Sequence, residues 1–313
     1  EAFLDAEAEA PAFLDDEAAA HASGLMEDTA APSSYAPLSP GDQLGAYRVV
    51  AEVDRGGMST VYRAERSDGA YQQDVAIKLL RTDFGEDDRT QRFRNERQIL
   101  ATLDHPHIAR VLDGGTTNAG TPYFVMEYVE GTPITTYCDA HQCSIADRIA
   151  LFQTVARAVQ HAHQNLVVHR DLKPSNILVT EPAPAEAENG TVKLLDFGIA
   201  KLLEPDPDAA SAPAFQTRTG LHLMTPEYAA PEQVKGKTIT TATDVYALGI
   251  LLYELLTGQR PYRLEQRSPY DMVQAICEEE PTRPSTIVTR LHRSPAKSDA
   301  APEAVFQARA TDA

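Results

Sequence analysis

The segment His169-Arg170-Asp171-Leu172-Lys173-Pro174-Ser175-Asn176 places an acid, a lysine and an asparagine close together in one short stretch. Three other motifs lie around it in the chain. Val75-Ala76-Ile77-Lys78 precedes it on a strand-like run, and Asp196-Phe197-Gly198 follows it between a strand-like run and a loop. Ala230-Pro231-Glu232 comes last, after a loop rich in hydroxyl groups. The Val75–Lys78 motif is weak alone and the His169–Asn176 segment is far more specific. The order and structural context of all four motifs make coincidence negligible.

The hydrophobic pattern divides the chain into a sheet-rich part and a helix-rich part. Strands are predicted at Tyr47–Val53, Thr60–Glu65, Asp74–Leu80, Ile108–Leu112 and Tyr123–Val129, and a helix at Arg89–Leu103. After these, Ser144 begins a capping box, and Thr243–Leu256 is apolar on nearly all sides. Thr243 is the expected N-cap of that buried helix, Gly258 its C-terminal stop, and Tyr270–Glu278 a further helix. This order predicts an α+β or two-lobed architecture.

Together, the four motifs resemble those of the protein kinase family, in particular its bacterial eukaryotic-like (Hanks-type) serine/threonine branch. The match runs from about Tyr47 to about Cys277. The resemblance implies a bilobal kinase fold over 45–280. Its N-lobe, 45–129, would be a small antiparallel five-stranded sheet with one helix, and its C-lobe, 130–280, larger and mainly helical. It also implies ATP-dependent phosphorylation of protein serine and threonine hydroxyls in bacterial signalling.

The resemblance implies a role for each charged residue of the motifs. Asp171 is the expected catalytic base, which accepts the proton of the substrate hydroxyl. Lys173 would stabilise charge on the transferring phosphoryl group, and a lysine here is typical of the serine/threonine branch, as is Thr225. Lys78 would contact the α- and β-phosphates of ATP, held by an ion pair with Glu96 on the predicted helix.

The same resemblance implies two metal ligands and a set of nucleotide contacts. Asp196 and Asn176 would bind Mg²⁺, or Mn²⁺ in its place, because hard oxygen ligands suit these ions. The expected nucleotide-contacting residues are Val53, Gly56, Gly57, Val61, Ala76, Lys78, Met126, Glu127, Val129 and Leu178. Among them, Val61, Ala76 and Leu178 would enclose the adenine ring, and the backbone of the linker between the lobes would hydrogen-bond it.

The phosphate-covering loop departs from the family's G-x-G-x-x-G pattern. Asp54 stands in place of the first glycine and Ser59 in place of the third, whereas Gly56 keeps the middle position with Gly57 beside it. The two glycines still allow backbone N–H groups to approach the phosphates. We expect the negative charge of Asp54 near the entrance to weaken nucleotide affinity.

Arg170 directly precedes the expected base, and similar kinases with that arginine often need an anionic group in the activation loop. Thr217 and Thr219 are the expected autophosphorylation sites, because a phosphate there would pair with Arg170. An ordinary polar loop is the alternative interpretation. The carboxylate of Asp244, at the start of the buried helix, would hold the backbone of His169 and Arg170.

The negative charge is concentrated at the start of the chain. The formal net charge is −18, and residues 1–45 carry ten acidic side chains with no lysine or arginine. Residues 1–44 are predicted to form a disordered acidic leader, and 281–313 a disordered tail that lacks apolar periodicity. We therefore expect the terminal helices of the C-lobe to be missing, and the chain to be a piece of a longer protein.

Composition also bears on partners and compartment. The acidic field argues against nucleic acid or an anionic membrane as a partner. The most apolar run, Val245–Leu256, is shorter than the ~20 residues of a membrane helix. No membrane contact is expected from this segment, while an anchor elsewhere in the full-length protein stays open. Cys138, Cys143 and Cys277 match no disulfide or zinc pattern and indicate a cytoplasmic protein. Expected partners are substrate proteins, and a homodimer for trans-autophosphorylation is left open.

Two other classes of function stay in view. A kinase-shaped scaffold would bind nucleotide or partner proteins without turnover, and the altered glycine loop favours it. The joint retention of Lys78, Asp171 and Asp196 with Asn176 speaks against it. Small-molecule phosphotransferases share the ATP site but generally lack an activation segment from Asp-Phe-Gly to Ala-Pro-Glu. The complete segment in this chain argues against that class.

Overall fold

The computed structural model of the chain describes residues 37–57, 59–80, 97–181, 190–197, 225–264 and 267–293. Within these ranges the chain forms an antiparallel sheet followed by a mainly helical part, which confirms the predicted two-lobed α+β fold. The last turn of a helix, at 97–101, comes in the chain between the strands predicted at Asp74–Leu80 and Ile108–Leu112. It is the described end of the helix predicted at Arg89–Leu103.

The first lobe is built on a six-stranded sheet. Its strands are β1 (Gln43–Leu44), β2 (Tyr47–Arg55), β3 (Ser59–Arg66), β4 (Asp74–Leu80), β5 (Val111–Thr116) and β6 (Pro122–Glu127). All neighbours are antiparallel, in the spatial order β1-β2-β3-β4-β6-β5. The prediction of five strands is corrected by β1, a two-residue strand that folds back on β2 through Gly45, whose φ of +56° suits glycine.

Burial along the strands follows their place in the sheet. In β3, buried Tyr62 and Ala64 alternate with partly exposed neighbours, as expected for a strand with one covered face. In β4, every residue after Asp74 is buried, because the two faces of this strand pack into different core clusters, Ala76 and Leu80 in one and Val75, Ile77 and Leu79 in the other. Lys78 therefore lies in the middle of the lobe, on the strand with the least access to water.

The strand predicted at Ile108–Leu112 begins later, at Val111. Residues 108–109 pair with the second lobe instead: Ile108 forms a parallel bridge with Leu194, and the Ala109 N–H donates to the Leu194 carbonyl at 2.9 Å. An apolar run alone does not show which of two sheets its backbone joins, so the sequence placed the strand about three residues early.

The second lobe is mainly helical. Its elements are β7 (Thr132–Pro133), α1 (Ile134–Ala140), α2 (Ile145–Gln164), β8 (Ile177–Thr180), β9 (Thr191–Leu194), α3 (Pro231–Val234), α4 (Thr241–Thr257), α5 (Pro269–Glu278) and α6 (Pro284–Arg293). Strands β7, β8 and β9 form a small antiparallel sheet beneath the first lobe's linker. No helix among the described residues is both long enough and apolar enough to span a bilayer.

Helix boundaries follow capping chemistry. The predicted capping box of α2 is formed: the Asp147 N–H donates to Ser144 Oγ, and the Ser144 N–H donates to the Asp147 carboxylate, both at 3.2 Å. The N-cap of α4 is Thr240 rather than the predicted Thr243, which instead closes the box from inside the helix. Gly258 ends α4 with a left-handed φ of +71°, as predicted.

The expected disordered tail is corrected over 284–293, where the structure has helix α6. Pro284 occupies the first turn, a position where its missing N–H and fixed φ do no harm. The tail's prolines argued against a helix, but this one marks the start of a helix. Residues 1–36 and 294–313 lie outside the described residues.

Candidate active site

The segment between α2 and β8 carries the expected catalytic base and is held from below by α4. Asp244, in the first turn of α4, is 1% exposed. Its Oδ2 accepts a hydrogen bond from the His169 N–H at 2.7 Å, and its Oδ1 accepts one from the Arg170 N–H at 2.9 Å. The predicted contact between Asp244 and this backbone is therefore present. His163 on α2 also donates from Nε2 to Asp244 Oδ2 at 2.7 Å.

Arg170 adopts a backbone conformation that is unfavourable for a side chain with a Cβ atom. Its φ is +66°, a region that costs non-glycine residues on the order of 1–3 kcal/mol. The surrounding groups hold it there: the Arg170 N–H binds Asp244, and the Arg170 carbonyl accepts from Gln233 Nε2 at 2.8 Å. This strained residue sets the direction in which the next residue, Asp171, leaves the loop.

The Asp171 carboxylate is fixed by two neighbours. Lys173 Nζ lies 3.0 Å from Asp171 Oδ2. Asn176 Nδ2 donates to the same oxygen at 3.1 Å and to the Asp171 carbonyl at 2.8 Å. Lys173 also donates to Thr225 Oγ1 at 3.2 Å. The structure thus brings together four residues that the sequence places in two separate motifs, around a carboxylate that is about a quarter exposed.

The turn that presents Thr225 is anchored to α4. Tyr228, in the 3₁₀ turn Pro226–Tyr228, donates from its hydroxyl to Glu254 Oε2 at 2.5 Å. Burial raises the pKa of Tyr228, and its bond to Glu254 raises it further, so the hydroxyl keeps its proton. The Arg260 guanidinium lies 5.5 Å from the centre of the Tyr228 ring. Because these contacts hold the turn on α4, they fix the position of Thr225 relative to Lys173.

Lys78 and Asp196 meet across the cleft between the lobes. Lys78 Nζ lies 3.1 Å from Asp196 Oδ1, and the two side chains are only 10% and 22% exposed. Asp196 comes directly after β9 and Leu195, and its φ of +48° turns the chain sharply at that point. Glu96, the predicted partner of Lys78, lies outside the described residues. In the part of the chain that is described, Asp196 is the acid that pairs with this lysine.

The residues around Asp196 fit a divalent cation. Asp196 Oδ1 is buried and accepts no hydrogen bond from the described residues, which leaves it to charged partners. Because Asn176 Nδ2 is committed to Asp171, the amide oxygen is the Asn176 atom suited to a cation. No cluster of three or more His, Cys, Asp or Glu residues among those described could hold a metal alone. The two oxygen donors of Asp196 and Asn176 would fit a divalent cation that takes its other ligands from phosphate and water.

His169 supports both motifs from inside the core. Its Nε2 donates to the Leu195 carbonyl at 2.8 Å, and its Nδ1 accepts the Asp171 N–H at 3.3 Å, which assigns the neutral tautomer. Burial lowers the pKa of this imidazole, and the nearby Asp244 partly opposes that effect. The ring also packs against Phe197, with centroids 4.8 Å apart. A neutral His169 thus connects the base segment to the Asp196 segment.

The predicted adenine-enclosing residues line the two sides of the lobe boundary. Val61 on β3 is the cross-strand partner of Lys78, and Ala76 on β4 is the partner of buried Met126. Leu178, the predicted lower wall, lies on β8 in the other lobe. Glu127 ends β6, and Val129 follows it in the partly exposed linker.

The glycine-containing turn lies between β2 and β3, at the exposed edge of the sheet. Gly56 donates from its N–H to the Ser59 carbonyl at 2.9 Å, which closes the turn. Gly57 is exposed beside it, and Val53 is 53% exposed. Asp54 uses its side chain locally, because Oδ1 accepts the Arg55 N–H at 2.9 Å.

Three groups that position the site were missed in the sequence. His163 contacts Asp244, Gln233 contacts the Arg170 carbonyl, and Lys193 contacts Glu127. A polar residue on the apolar face of α2 was the one available signal for His163. Glu232 of the Ala-Pro-Glu motif accepts from Thr243 Oγ1 at 2.6 Å. The predicted phosphorylation sites Thr217 and Thr219 lie outside the described residues.

A family model described as the protein kinase domain matches residues 47–302, past the predicted domain end at 280. Serine/threonine-protein kinase PrkC of Bacillus subtilis is 39% identical over 220 residues, which cover 70% of this chain and 31% of that protein. Serine/threonine-protein kinase PknA of Mycobacterium tuberculosis is 37% identical over 224 residues, or 70% of this chain and 48% of that protein. The chain thus spans a third to a half of these relatives' length.

Solved structures show the same fold. A crystal structure of the Mycobacterium tuberculosis PknI kinase domain has a TM-score of 0.56 and 26% identity, covering 82% of this chain and 87% of that one. A second structure of the same domain has a TM-score of 0.53 and 25% identity, with coverages of 77% and 85%. The similarity extends over both lobes.

Proposed function

Since the chain belongs to the protein kinase family, we propose that it transfers the γ-phosphoryl group of ATP to serine and threonine hydroxyls of other proteins in bacterial signalling. The observation that carries this proposal is the arrangement at Asp171, whose carboxylate is held between Lys173 and Asn176 beside Thr225. Phosphoryl transfer needs little covalent chemistry from the protein, so catalysis depends on positioning and charge.

Asp171 would orient the substrate hydroxyl and take its proton. The carboxylate oxygen Oδ2 is engaged by Lys173 and Asn176, which fixes the plane of the group without protonating it. The Lys173 ammonium sits between this base and Thr225, where it can also meet negative charge on the phosphoryl group. A positioned base of this kind contributes about 10²–10⁴-fold to the rate.

Lys78 and Asp196 would hold the phosphate end of ATP. The Lys78 ammonium is buried in the cleft at 3.1 Å from Asp196, so a phosphate oxygen entering there meets a desolvated positive charge. Asp196 and Asn176 would hold Mg²⁺, with Mn²⁺ as an alternative ion. When bound, the cation neutralises charge on the phosphates. Val61, Ala76 and the other predicted contacts would exclude water from the base end of the nucleotide.

Regulation, partners and compartment form the rest of the proposal. Phosphate on Thr217 or Thr219 would pair with Arg170, whose backbone is strained next to the base. One copy would phosphorylate another in a transient homodimer. A cytoplasmic location is supported by three thiols, none in a disulfide.

The direct test measures phosphate incorporated from γ-labelled ATP with Mg²⁺. Wild-type chain and an Asp104→Asn control, changed at an exposed carboxylate, are expected to incorporate label into themselves and into a generic protein substrate. Asp171→Asn should lose at least about a hundredfold of that rate. Nucleotide binding without any incorporation by the wild type would instead support a non-catalytic scaffold and contradict the proposal.

A further inference from the structure

An ion pair joins the two lobes at the base end of the cleft. Glu127 is the last residue of β6, in the first lobe, and Lys193 lies on β9, in the second. Lys193 Nζ and Glu127 Oε1 are 2.7 Å apart, and the side chains are 19% and 31% exposed. Exposed ion pairs contribute little to stability because water and salt compete for their charges, and partial burial weakens that competition.

The second carboxylate oxygen of Glu127 is also used. It accepts the Arg110 N–H at 3.3 Å, while the Glu127 N–H donates to the Arg110 carbonyl at 2.9 Å. Glu127 is thus bonded through its backbone and its side chain to Arg110, and through its side chain to Lys193. This bridging position constrains both the direction and the rotation of the chain as it enters the linker.

The segment just before Arg110 is bonded to the strand that carries Lys193. The Leu194 N–H donates to the His107 carbonyl at 2.8 Å, and the Ala109 N–H donates to the Leu194 carbonyl at 2.9 Å. The His107 Nδ1 lies 2.9 Å from the Val192 carbonyl. Residues 107–110, β9 and Glu127 therefore form one bonded unit, in which the Lys193–Glu127 pair is the side-chain contact between charged groups of opposite lobes.

The ends of this unit lie at residues that are predicted to contact the nucleotide or its metal ion. Lys193 is the cross-strand partner of Leu178, the predicted lower wall of the adenine site. The chain runs from Lys193 through Leu194 and Leu195 directly to Asp196, the predicted metal ligand. On the other side of the pair, Glu127 begins the linker whose backbone is predicted to meet the adenine ring.

We propose that Lys193 is a positioning residue for nucleotide binding: its ammonium holds the Glu127 side chain across the lobe boundary and so sets the linker backbone in register with the adenine ring. The inference rests on the proposed kinase function. The Lys193 ammonium is directed to Glu127, at the base end of the cleft, and not to Asp171 or Lys78, where the reacting hydroxyl and the phosphates are expected. Its loss should therefore weaken nucleotide binding while leaving the rate at saturating ATP within about threefold of wild type.

The variants follow from the geometry of the pair. Lys193→Met keeps the length of the side chain and removes its charge, and Glu127→Gln keeps the shape of the carboxylate. Each is expected to raise the Kd for ATP on the order of tenfold, and the double variant no further, because both remove the same interaction. Arg48→Met, which breaks the exposed Arg48–Glu65 pair between β2 and β3, is the matched control and should leave the Kd unchanged.

The experiment is calorimetric titration of ATP and Mg²⁺ into each folded variant, with KM and kcat measured alongside. The proposal predicts a raised Kd and KM for both single variants, a kcat that is nearly unchanged for Lys193→Met, and non-additive effects in the double variant. A Kd equal to wild type in either single variant, or fully additive effects, would overturn it. Absence of ATP binding in the wild type would overturn the proposed function as well, which separates the two failures.

Discussion

Asp244→Asn is the substitution that most sharply tests how the catalytic segment is held. The Asp244 carboxylate accepts three hydrogen bonds, from the His169 N–H, the Arg170 N–H and His163 Nε2, in a site that is 1% exposed. Asparagine has nearly the same shape but only one acceptor oxygen. If the amide oxygen takes the place of Oδ2, it still accepts from the His169 N–H and from His163. The amide NH₂ then takes the place of Oδ1 and faces the Arg170 N–H, which loses its acceptor.

The magnitude follows from these contacts. One buried N–H left without an acceptor costs about 1–3 kcal/mol, and the two remaining bonds lose the part of their strength that comes from the carboxylate charge. We expect Asp244→Asn to reduce the free energy of unfolding by about 2–5 kcal/mol, against a total of roughly 5–15 kcal/mol for a typical domain. The strained Arg170 backbone would relax, so kcat should fall about tenfold to a hundredfold.

Urea unfolding followed by far-ultraviolet circular dichroism measures the first quantity, since the chain has no tryptophan to report by fluorescence. Asp104→Asn is the control, because its 77%-exposed carboxylate belongs to a surface pair worth about 0–1 kcal/mol. An Asp244→Asn variant within about 0.5 kcal/mol of wild type, with unchanged kcat, would refute this account of the segment.

Three further predictions concern the rest of the fold. Arg148→Met should lower the free energy of unfolding by about 3–5 kcal/mol, because the guanidinium of this 1%-exposed residue donates to three backbone carbonyls and a carboxylate. Arg48→Met, which removes an exposed ion pair, should lower it by less than about 1 kcal/mol. Equal losses for the two variants in urea unfolding would contradict the structural role of Arg148. Burial lowers the pKa of His105 below its ordinary value, so the contribution of the neutral imidazole to stability is present above pH 6.5 and is lost as the pH falls. The free energy of unfolding should therefore fall less between pH 7.5 and 5.5 in His105→Asn than in the wild type. An identical pH profile in the two proteins would contradict this prediction. Burial raises the pKa of the Cys138 thiol to about 12, so iodoacetamide should modify this thiol at least about a hundredfold more slowly than the Cys277 thiol in the folded chain. Equal rates of modification of the two cysteines, measured by mass spectrometry, would contradict the burial of Cys138.

Local chemistry carried most of what the sequence could predict of the fold. Ser144 and Asp147 specify a capping box by their spacing alone, and the structure forms it. Gly258 was identified as a helix stop because few other residues adopt its backbone conformation at low cost. Thr240 and Thr243 show the limit of this reasoning: both hydroxyls fit a cap, and only the helix geometry decides between them.

Contacts between distant segments could not be predicted in the same way. The resemblance to the protein kinase family implies the roles of Asp171 and Asn176, and their place in one short segment indicates that they lie close together. The partners Gln233 and Lys193 come from other elements, and nothing in their local sequence distinguishes them from exposed polar residues. Such pairs depend on how distant elements pack together, within one lobe for Gln233 and between the lobes for Lys193, and the spacing of residues along the chain does not show this.

The central claim is that this chain phosphorylates protein hydroxyls through Asp171. The most direct measurement mixes wild-type chain, ATP and Mg²⁺ with a mass-tagged Asp171→Asn copy as substrate, and then determines the phosphoamino acids on the tagged copy. The account predicts phosphoserine or phosphothreonine on that copy only when wild-type chain is present. A wild-type chain that binds ATP yet transfers no phosphate to the tagged copy or to any other protein, or one that places it on tyrosine, would contradict the account.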